Sequence, residues 1–234
     1  MNYRLLTKFR ELFEGQLYRH RASNQGDLVA RRLYEDLHIL GRSPRYLQRT
    51  GSELSVVNTM NTRHGIKARR GDGSFGEIVP GVDVTYDEGL VVGRGPIATI
   101  EIGIEVKILA KAMIKQIDRV VSDLGKQVTH FKSKGGTPIT IGIAGINWAD
   151  YYTSIEGKVS WPTDGRTYKH PIQEAAEAER HLRERAQPEY DEFIVLHFLA
   201  TNEAPFPFAW KDEKATVLDY GAALARISAR YEKL

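Results

Sequence analysis

An alternating run of apolar and other residues extends from Ile97 to Lys107. The even-numbered positions from 100 to 106 hold isoleucine or valine, whereas the odd-numbered positions from 101 to 107 hold Glu, Gly, Glu and Lys. Because successive side chains of a strand point to opposite faces of a sheet, the pattern predicts a strand with one apolar face and one face that ends in charges. An acid and a lysine on an otherwise apolar strand need a partner or a function.

Segments with helical and strand-like patterns follow one another along the rest of the chain. Apolar residues at helical spacing predict helices over 3–18, 27–40, 113–131, 171–185 and 219–231. Asp27 is the expected N-cap of the second helix and Gly41 its stop. Short β-branched runs predict strands over 53–58, about 80–86, 137–146 and 192–199, and residues 151–168 are expected to form a hairpin or loop.

A second acid, Asp83, lies in a short apolar run between two valines. The midpoint between positions 83 and 105 is 94, inside a Gly-Arg-Gly-Pro segment. If the chain turns there as a hairpin, Asp83 lies directly across from Glu105, with facing Cβ atoms about 5 Å apart. The two carboxylates would then converge with the ammonium group of Lys107.

Such a cluster has a specific chemistry. Two close carboxylates repel each other unless a cation lies between them, and Mg²⁺ prefers a few carboxylate oxygens while it keeps several waters. A neighbouring lysine can orient or deprotonate water and neutralise charge that grows on phosphoryl oxygens. The cluster therefore predicts phosphodiester hydrolysis. The alternative is a turn acid at position 83 and an exposed ion pair of Glu105 with Lys107 on a wet sheet face.

At these residues the sequence resembles the PD-(D/E)XK nuclease superfamily, whose pattern is Asp, a hairpin of variable length, then Glu or Asp, one residue and Lys. The resemblance implies that Asp83, Glu105 and Lys107 are catalytic. It also implies that Asp83, Glu105 and the backbone carbonyl of Val106 bind Mg²⁺, for which Mn²⁺ can substitute. One departure is that Pro80 stands three positions before the Asp.

The resemblance also implies a fold. An α/β domain is expected with a restriction-endonuclease-like core, in which helices flank a central mixed sheet of αβββαβ order. That core would cover about residues 26–147, and residues 148–234 would elaborate it within a single domain of 234 residues.

Other residues are candidates for the same site. Many members of the superfamily bring a Glu from the first helix toward the metal, which makes Glu35 a possible further ligand. Gln116 lies on the long helix, where some relatives place a polar active-site residue. Asp87 is a rival of Asp83, but the hairpin arithmetic sets it opposite Glu101, about 13 Å from Glu105 along the strand.

The net charge of +3 is unevenly distributed, because residues 1–70 contain 14 Lys and Arg against 6 Asp and Glu. The densest cluster includes Arg63, Lys67, Arg69 and Arg70, and it leads toward the predicted hairpin. Cations of this kind neutralise nucleic-acid phosphates, so these four residues are expected to contact DNA from a flexible loop. A solvated surface loop is the equally weighted alternative.

Other chemistry is excluded or disfavoured. The chain has no cysteine, which removes disulfides, thiolate metal sites and cysteine catalysis. No apolar stretch reaches about 18 residues, so a soluble cytoplasmic protein with no membrane partner is expected. The glycine pattern over 71–76 fits a dinucleotide-binding motif, but it lacks the strand before it and the helix after it and is interpreted as a mobile turn.

The leading hypothesis is a Mg²⁺-dependent DNA endonuclease of a restriction or other defence system, which cuts double-stranded DNA as a homodimer. One alternative is a catalytically inactive nucleic-acid-binding subunit of a larger complex. Another is a nuclease effector that a nucleotide or a partner protein activates. The sequence does not reveal the recognition site, and it favours DNA over RNA only through the resemblance.

Overall fold

The computed structural model describes residues 2–19, 24–58, 62–63, 66–67, 71–111, 113–133, 136–156, 159–162 and 171–234. The helices are α1 (Arg4–Glu11), α2 (Gln25–Leu40), α3 (Pro44–Gly51), α4 (Met113–Lys132), α5 (Pro171–Arg185) and α6 (Glu213–Tyr231), with a short 3₁₀ helix at Gln187–Glu189. None of the helices in these ranges is both long and apolar enough to cross a bilayer.

A mixed sheet of seven strands lies at the centre, in the order β11-β10-β7-β6-β4-β1-β5. Its strands are β1 (Ser55–Asn58), β4 (Gly73–Glu77), β5 (Arg94–Gly95), β6 (Ile102–Leu109), β7 (Ile139–Asn147), β10 (Glu192–Ala200) and β11 (Phe208–Trp210). Two ribbons stand apart from the sheet: β2 (Thr62–Arg63) with β3 (Ile66–Lys67), and β8 (Thr153–Glu156) with β9 (Val159–Pro162).

The two halves of the sheet are built differently. β1, β4 and β6 are antiparallel neighbours, whereas β6, β7 and β10 run parallel and are joined through α4 and α5. Because helices cover both faces of the parallel half, β7 is buried along its whole length. The protein is thus α/β, with a mixed seven-stranded sheet that helices flank, as predicted.

Two hydrophobic layers cover the faces of the sheet. On one face, α4 and α5 pack against Leu109, Ala144 and Ile146. On the other face, α1, α2, α3 and α6 pack against Ile102 and Ile104 of β6 and against Ile139, Ile141 and Ile143 of β7. The alternation along β6 therefore separates the two layers, and it leaves Glu105 and Lys107 on the α4 side.

Several predicted boundaries hold because local signals fix them. Gly41 ends α2 in the left-handed conformation (φ 66°), and α5 spans the predicted residues 171–185. α6 begins at Glu213 and not at 219, since the Asp212 side chain accepts a hydrogen bond from the Ala215 amide at 2.9 Å and caps the helix earlier. α1 ends at Glu11, seven residues before the predicted end.

The predicted strand over residues 80–86 is wrong. The antiparallel neighbour of β6 is β4, and it contains glycine-rich residues that the sequence pattern assigns to a mobile turn. Residues 78–101 form a long excursion beside β1, which touches itself through the isolated bridges Ile78–Ile97 and Thr85–Arg94. Because of this excursion, the chain does not form the predicted hairpin with its turn at position 94.

Candidate active site

Asp72 stands at the point where β4 stops pairing with β6. Gly73 lies opposite Ile104 in this antiparallel ladder, so the residue before Gly73 faces Glu105. The Val106 amide donates to Asp72 Oδ2 at 2.7 Å. The Asp72 carboxylate thus accepts the hydrogen bond that the backbone of β4 would accept if the ladder continued. This contact holds Asp72 next to Glu105.

Glu105 and Lys107 occupy the same face of β6, two residues apart. Lys107 Nζ lies 2.6 Å from Glu105 Oε1, and Glu105 is only 8% exposed. Burial and the neighbouring Asp72 carboxylate raise the pKa of Glu105 to about 7, although Lys107 opposes the shift.

The first turn of α2 closes one side of the cluster. A methyl group at Gly26 would overlap the carboxylate of Asp72. Gly26 therefore allows the α2 backbone to lie directly against this acid, in a space that no other residue type leaves open.

The carbonyl group of Val106 faces the same open edge. The N–H and C=O groups of one strand residue point to the same side, and the Val106 amide points toward Asp72. Its carbonyl oxygen is therefore directed to the side of β6 where β4 has ended, as the sequence analysis expects of a third ligand.

α4 supplies a polar group that the sequence analysis does not select. Gln127 is 4% exposed, and its Nε2 has no hydrogen-bond partner among the described residues. A methyl group at Gly71 would lie 3.1 Å from this nitrogen, so the carboxamide lies beside the residue that precedes Asp72. Gln116, the predicted candidate, is exposed and donates instead to the Lys111 carbonyl at 3.0 Å.

Tyr190 lies within electrostatic range of the two acids. Burial first, and then the charges of Glu105 and Asp72, raise its pKa above the ordinary value. Its hydroxyl donates to the Leu124 carbonyl at 3.0 Å, which joins the start of β10 to α4. The side of the cluster that faces α4 is therefore lined by the buried side chains of Tyr190 and Gln127.

The prediction that Asp83 faces Glu105 is wrong. Asp83 is exposed, and it precedes Thr85, which bridges to Arg94 on the far edge strand β5. β5 and β6 are separated by β4 and β1, which amounts to three strand spacings or about 14 Å. The predicted pairing of positions 83 and 105 required a simple hairpin that turns at position 94, and residues 78–101 do not form one.

Glu35 does not join the cluster, so its prediction as a metal ligand is also wrong. Its carboxylate accepts hydrogen bonds from the Val91 and Val92 amides at 3.0 and 2.9 Å, and it pairs with Arg4. Nine residues of α2 separate Glu35 from Gly26, which places it about 13 Å farther along the helix.

The other rival acid, Asp87, belongs to a structural ion cluster. It pairs with Arg94 at 2.6 Å and with Arg31. These contacts tie the 78–101 excursion to α2, away from the register position of Glu105.

The predicted DNA-contacting residues divide into two groups. Arg69 and Arg70 lie outside the described residues. The backbones of Arg63 and Lys67 belong to the β2–β3 ribbon, in which Thr62 pairs with Lys67 and Arg63 with Ile66. These residues of the predicted flexible loop therefore form a short antiparallel ribbon.

Asp72 could have been found from one signal. It stands between two glycines just before the short run of Ser74 and Phe75, and it precedes the Glu-Val-Lys triplet by a loop of plausible length. The glycines hide the strand, because they are poor strand formers and typical of turns.

The residues of the cluster fit a hard divalent cation. Asp72, Glu105 and the Val106 carbonyl offer oxygen ligands, which Mg²⁺ prefers, and a cation would relieve the repulsion that raises the pKa of Glu105. Within the described ranges, no group of three or more His, Cys, Asp or Glu side chains is arranged to hold a metal. Mg²⁺ keeps several waters, so two carboxylates suffice.

No protein-family model, curated protein or solved structure matched the chain.

Proposed function

We propose that the chain is a metal-dependent endonuclease with a restriction-endonuclease-like core, and that Asp72, Glu105 and Lys107 form its active site. The observation that carries the proposal is the meeting of Asp72 and Glu105 at the end of the β4–β6 ladder, with Lys107 on the same face. With Asp72 in place of Asp83, the arrangement matches the PD-(D/E)XK pattern, an acid on one strand and Glu-x-Lys on its antiparallel neighbour.

The order of elements supports the same proposal. The elements α2, β1-β4-β6, α4 and β7 occur in this order along the chain as a helix, three antiparallel strands, a helix and a parallel strand, with α3, β2, β3 and β5 inserted between them. This is the αβββαβ order that the resemblance implies. Fold alone does not define an activity, so the argument for catalysis depends on the three side chains.

Each residue has a distinct role in the proposed reaction. Asp72, Glu105 and the Val106 carbonyl would hold Mg²⁺, which supplies Lewis-acid activation of the phosphate and a water of lowered pKa. Lys107 would turn from Glu105 to the scissile phosphate and neutralise charge that develops on its oxygens. Gln127, whose Nε2 lacks a partner among the described residues, would donate a hydrogen bond into the same space.

We propose double-stranded DNA as the substrate, cut to leave a 5′-phosphate and a 3′-hydroxyl as the resemblance implies. The excess of Lys and Arg in the first 70 residues favours a polyanion. A restriction or related defence enzyme is the corresponding role.

Plasmid cleavage with Mg²⁺ and with EDTA tests the proposal. Asp72→Asn should lower the cutting rate at least about 1000-fold, because it removes one of the two carboxylates that would hold the metal. Asp83→Asn is the matched control, since it makes the same change at an exposed acid on the far edge, and it should cut like the wild type.

Equal loss in both variants, or full activity of Asp72→Asn, would contradict the assignment. DNA binding that weakens steeply with salt, with no metal-dependent cutting, would favour the inactive binding subunit instead. Thermal unfolding of each variant separates loss of chemistry from loss of fold.

A further inference from the structure

The outer edge of β10 is only partly covered. β11 pairs with residues 198–200, and the Lys211 amide extends the contact to the His197 carbonyl at 3.0 Å. In the part of the chain that the structure describes, no strand pairs with residues 192–196 on this side. More than half of β10 therefore has an open edge.

The open edge presents backbone groups in a regular array. Strand residues direct their N–H and C=O groups alternately to opposite sides, and the His197 carbonyl faces outward. Val195 and Phe193 have the same parity, so both groups of each residue face outward. Exposed edges of this kind pair readily with other strands, and residues 192–196 contain neither the proline nor the lysine that commonly protects an edge.

A groove of about 1080 Å³ runs along this edge, between α6 and the end of α5. On α6, Ala215 and Ala222 line the groove, and Leu218 lies on the same helix face by its spacing. Leu218 is 62% exposed, more than any other large hydrophobic side chain in the described ranges. An open strand edge thus lies beside a helix that carries an exposed leucine between two groove-lining alanines.

The charges of the groove favour a second copy of the chain over a polyanion. Four Lys and Arg and four Asp and Glu line it, so it has no net attraction for phosphates. Asp191 lies at the start of β10, whereas Lys211 lies beside its far end. Antiparallel pairing of two copies brings these opposite charges together, as a two-fold interface requires.

We propose that this flank is a homodimer interface in which two β10 strands pair antiparallel about Ile194. Phe193 of each copy then lies opposite Val195 of the other. Four hydrogen bonds between the two strands satisfy the outward N–H and C=O groups of both residues in both copies. The two seven-stranded sheets become one sheet of fourteen strands, and the two α6 faces meet around Leu218. The interface does not depend on the proposed catalysis.

Sedimentation equilibrium of the full chain, without metal or DNA, tests the interface. The wild type should sediment with twice the monomer mass of 26.4 kDa. Leu218→Glu should raise the dimer Kd at least about tenfold, because it places a charge against the apolar face of the other copy. Ile39→Glu is the matched control, since Ile39 is a 50% exposed isoleucine on α2, and it should remain dimeric.

A second variant tests the strand pairing itself. Val195→Pro removes an outward N–H and no hydrogen bond to β7, so it should dissociate the dimer while far-UV circular dichroism stays unchanged. A wild type that is monomeric at about 100 μM, where a micromolar dimer is largely associated, would overturn the proposal. A dimer that Leu218→Glu leaves intact would overturn it as well.

Discussion

Two pairs of neighbouring acids, Glu35 with Asp36 and Asp72 with Glu105, have different surroundings, and only Asp72 among them is partly exposed. Glu35 is completely buried on α2, where two backbone amides and Arg4 donate to it. Asp36 beside it accepts from the Arg4 and Leu5 amides at 2.7 and 2.9 Å and from the Tyr220 hydroxyl at 2.8 Å. These contacts fasten α1 and the 78–101 excursion to α2.

The second pair, Asp72 and Glu105, has a different environment. Burial raises the pKa of both Glu105 and Asp36. For Glu105 the next largest cause is another carboxylate, whereas the groups that act on Asp36 are hydrogen-bond donors and a cation. A buried acid with a complete set of donors stabilises the fold. A buried acid that faces a second acid is prepared for a cation, which is typical of functional sites.

The first way to test this difference is to remove the charge from the structural pair. Glu35→Gln should lower the free energy of unfolding by about 2–4 kcal/mol, because a fully buried acceptor of three hydrogen bonds loses its charge and Arg4 loses its ion partner. Urea denaturation measures the change. Cutting by the folded fraction should persist, and a cutting defect at full folding would place Glu35 in the active site after all.

The second test displaces the Asp72 carboxylate and leaves Asp72 and Glu105 themselves unchanged. Gly26→Ala should lower the cutting rate about 100-fold, since its methyl group must displace the Asp72 carboxylate. Gly125→Ala is the matched control on α4, where an added methyl group meets nothing within 4 Å. The control should cut normally and be more stable by about 1 kcal/mol. Similar cutting by the two variants would contradict the contact.

The third and smallest effect concerns the stability of the metal-free protein. The folded state binds the Glu105 proton more tightly than the unfolded chain does, so its stabilising contribution is complete below about pH 4.3. That contribution is lost as the pH rises through about 7, the pKa of the buried carboxyl. Glu105→Gln escapes this loss because its side chain does not ionise.

At pH 8 in EDTA, Glu105→Gln should therefore unfold with a free energy about 1–3 kcal/mol above that of the wild type. The difference should vanish near pH 4. Denaturation curves at the two pH values provide the measurement. A variant less stable than the wild type at pH 8 would show that Lys107 already compensates the charge in full.

Much of the parallel half of the sheet was predictable from the sequence. β7 is long and apolar and β10 is bounded by clear turn signals, so their predicted and observed bounds agree to within two positions, whereas β6 begins at Ile102, five residues after the predicted start. Glu105 and Lys107 were predictable for the same reason, since the alternation along β6 fixes the face they occupy.

The antiparallel half was not predictable in the same way. β4 consists of Gly, Ser, Phe, Gly and Glu, and its place in the sheet depends on tertiary contacts that override low strand propensity. The register of β4 against β6 depends on a 24-residue excursion, from Ile78 to Glu101, whose path no local pattern encodes. Asp72 was missed because the glycines on either side of it indicate a turn, and Gln127 was missed because only the assembled fold brings it beside Gly71.

Mn²⁺ binding followed by electron paramagnetic resonance tests the central claim, that Asp72 and Glu105 share one divalent ion. The wild type and Asp83→Asn should each bind one Mn²⁺ at pH 8, and Asp72→Asn and Glu105→Gln should each weaken that binding at least about tenfold. Mn²⁺ binding that survives unchanged in Asp72→Asn, or that disappears in Asp83→Asn, would contradict the account.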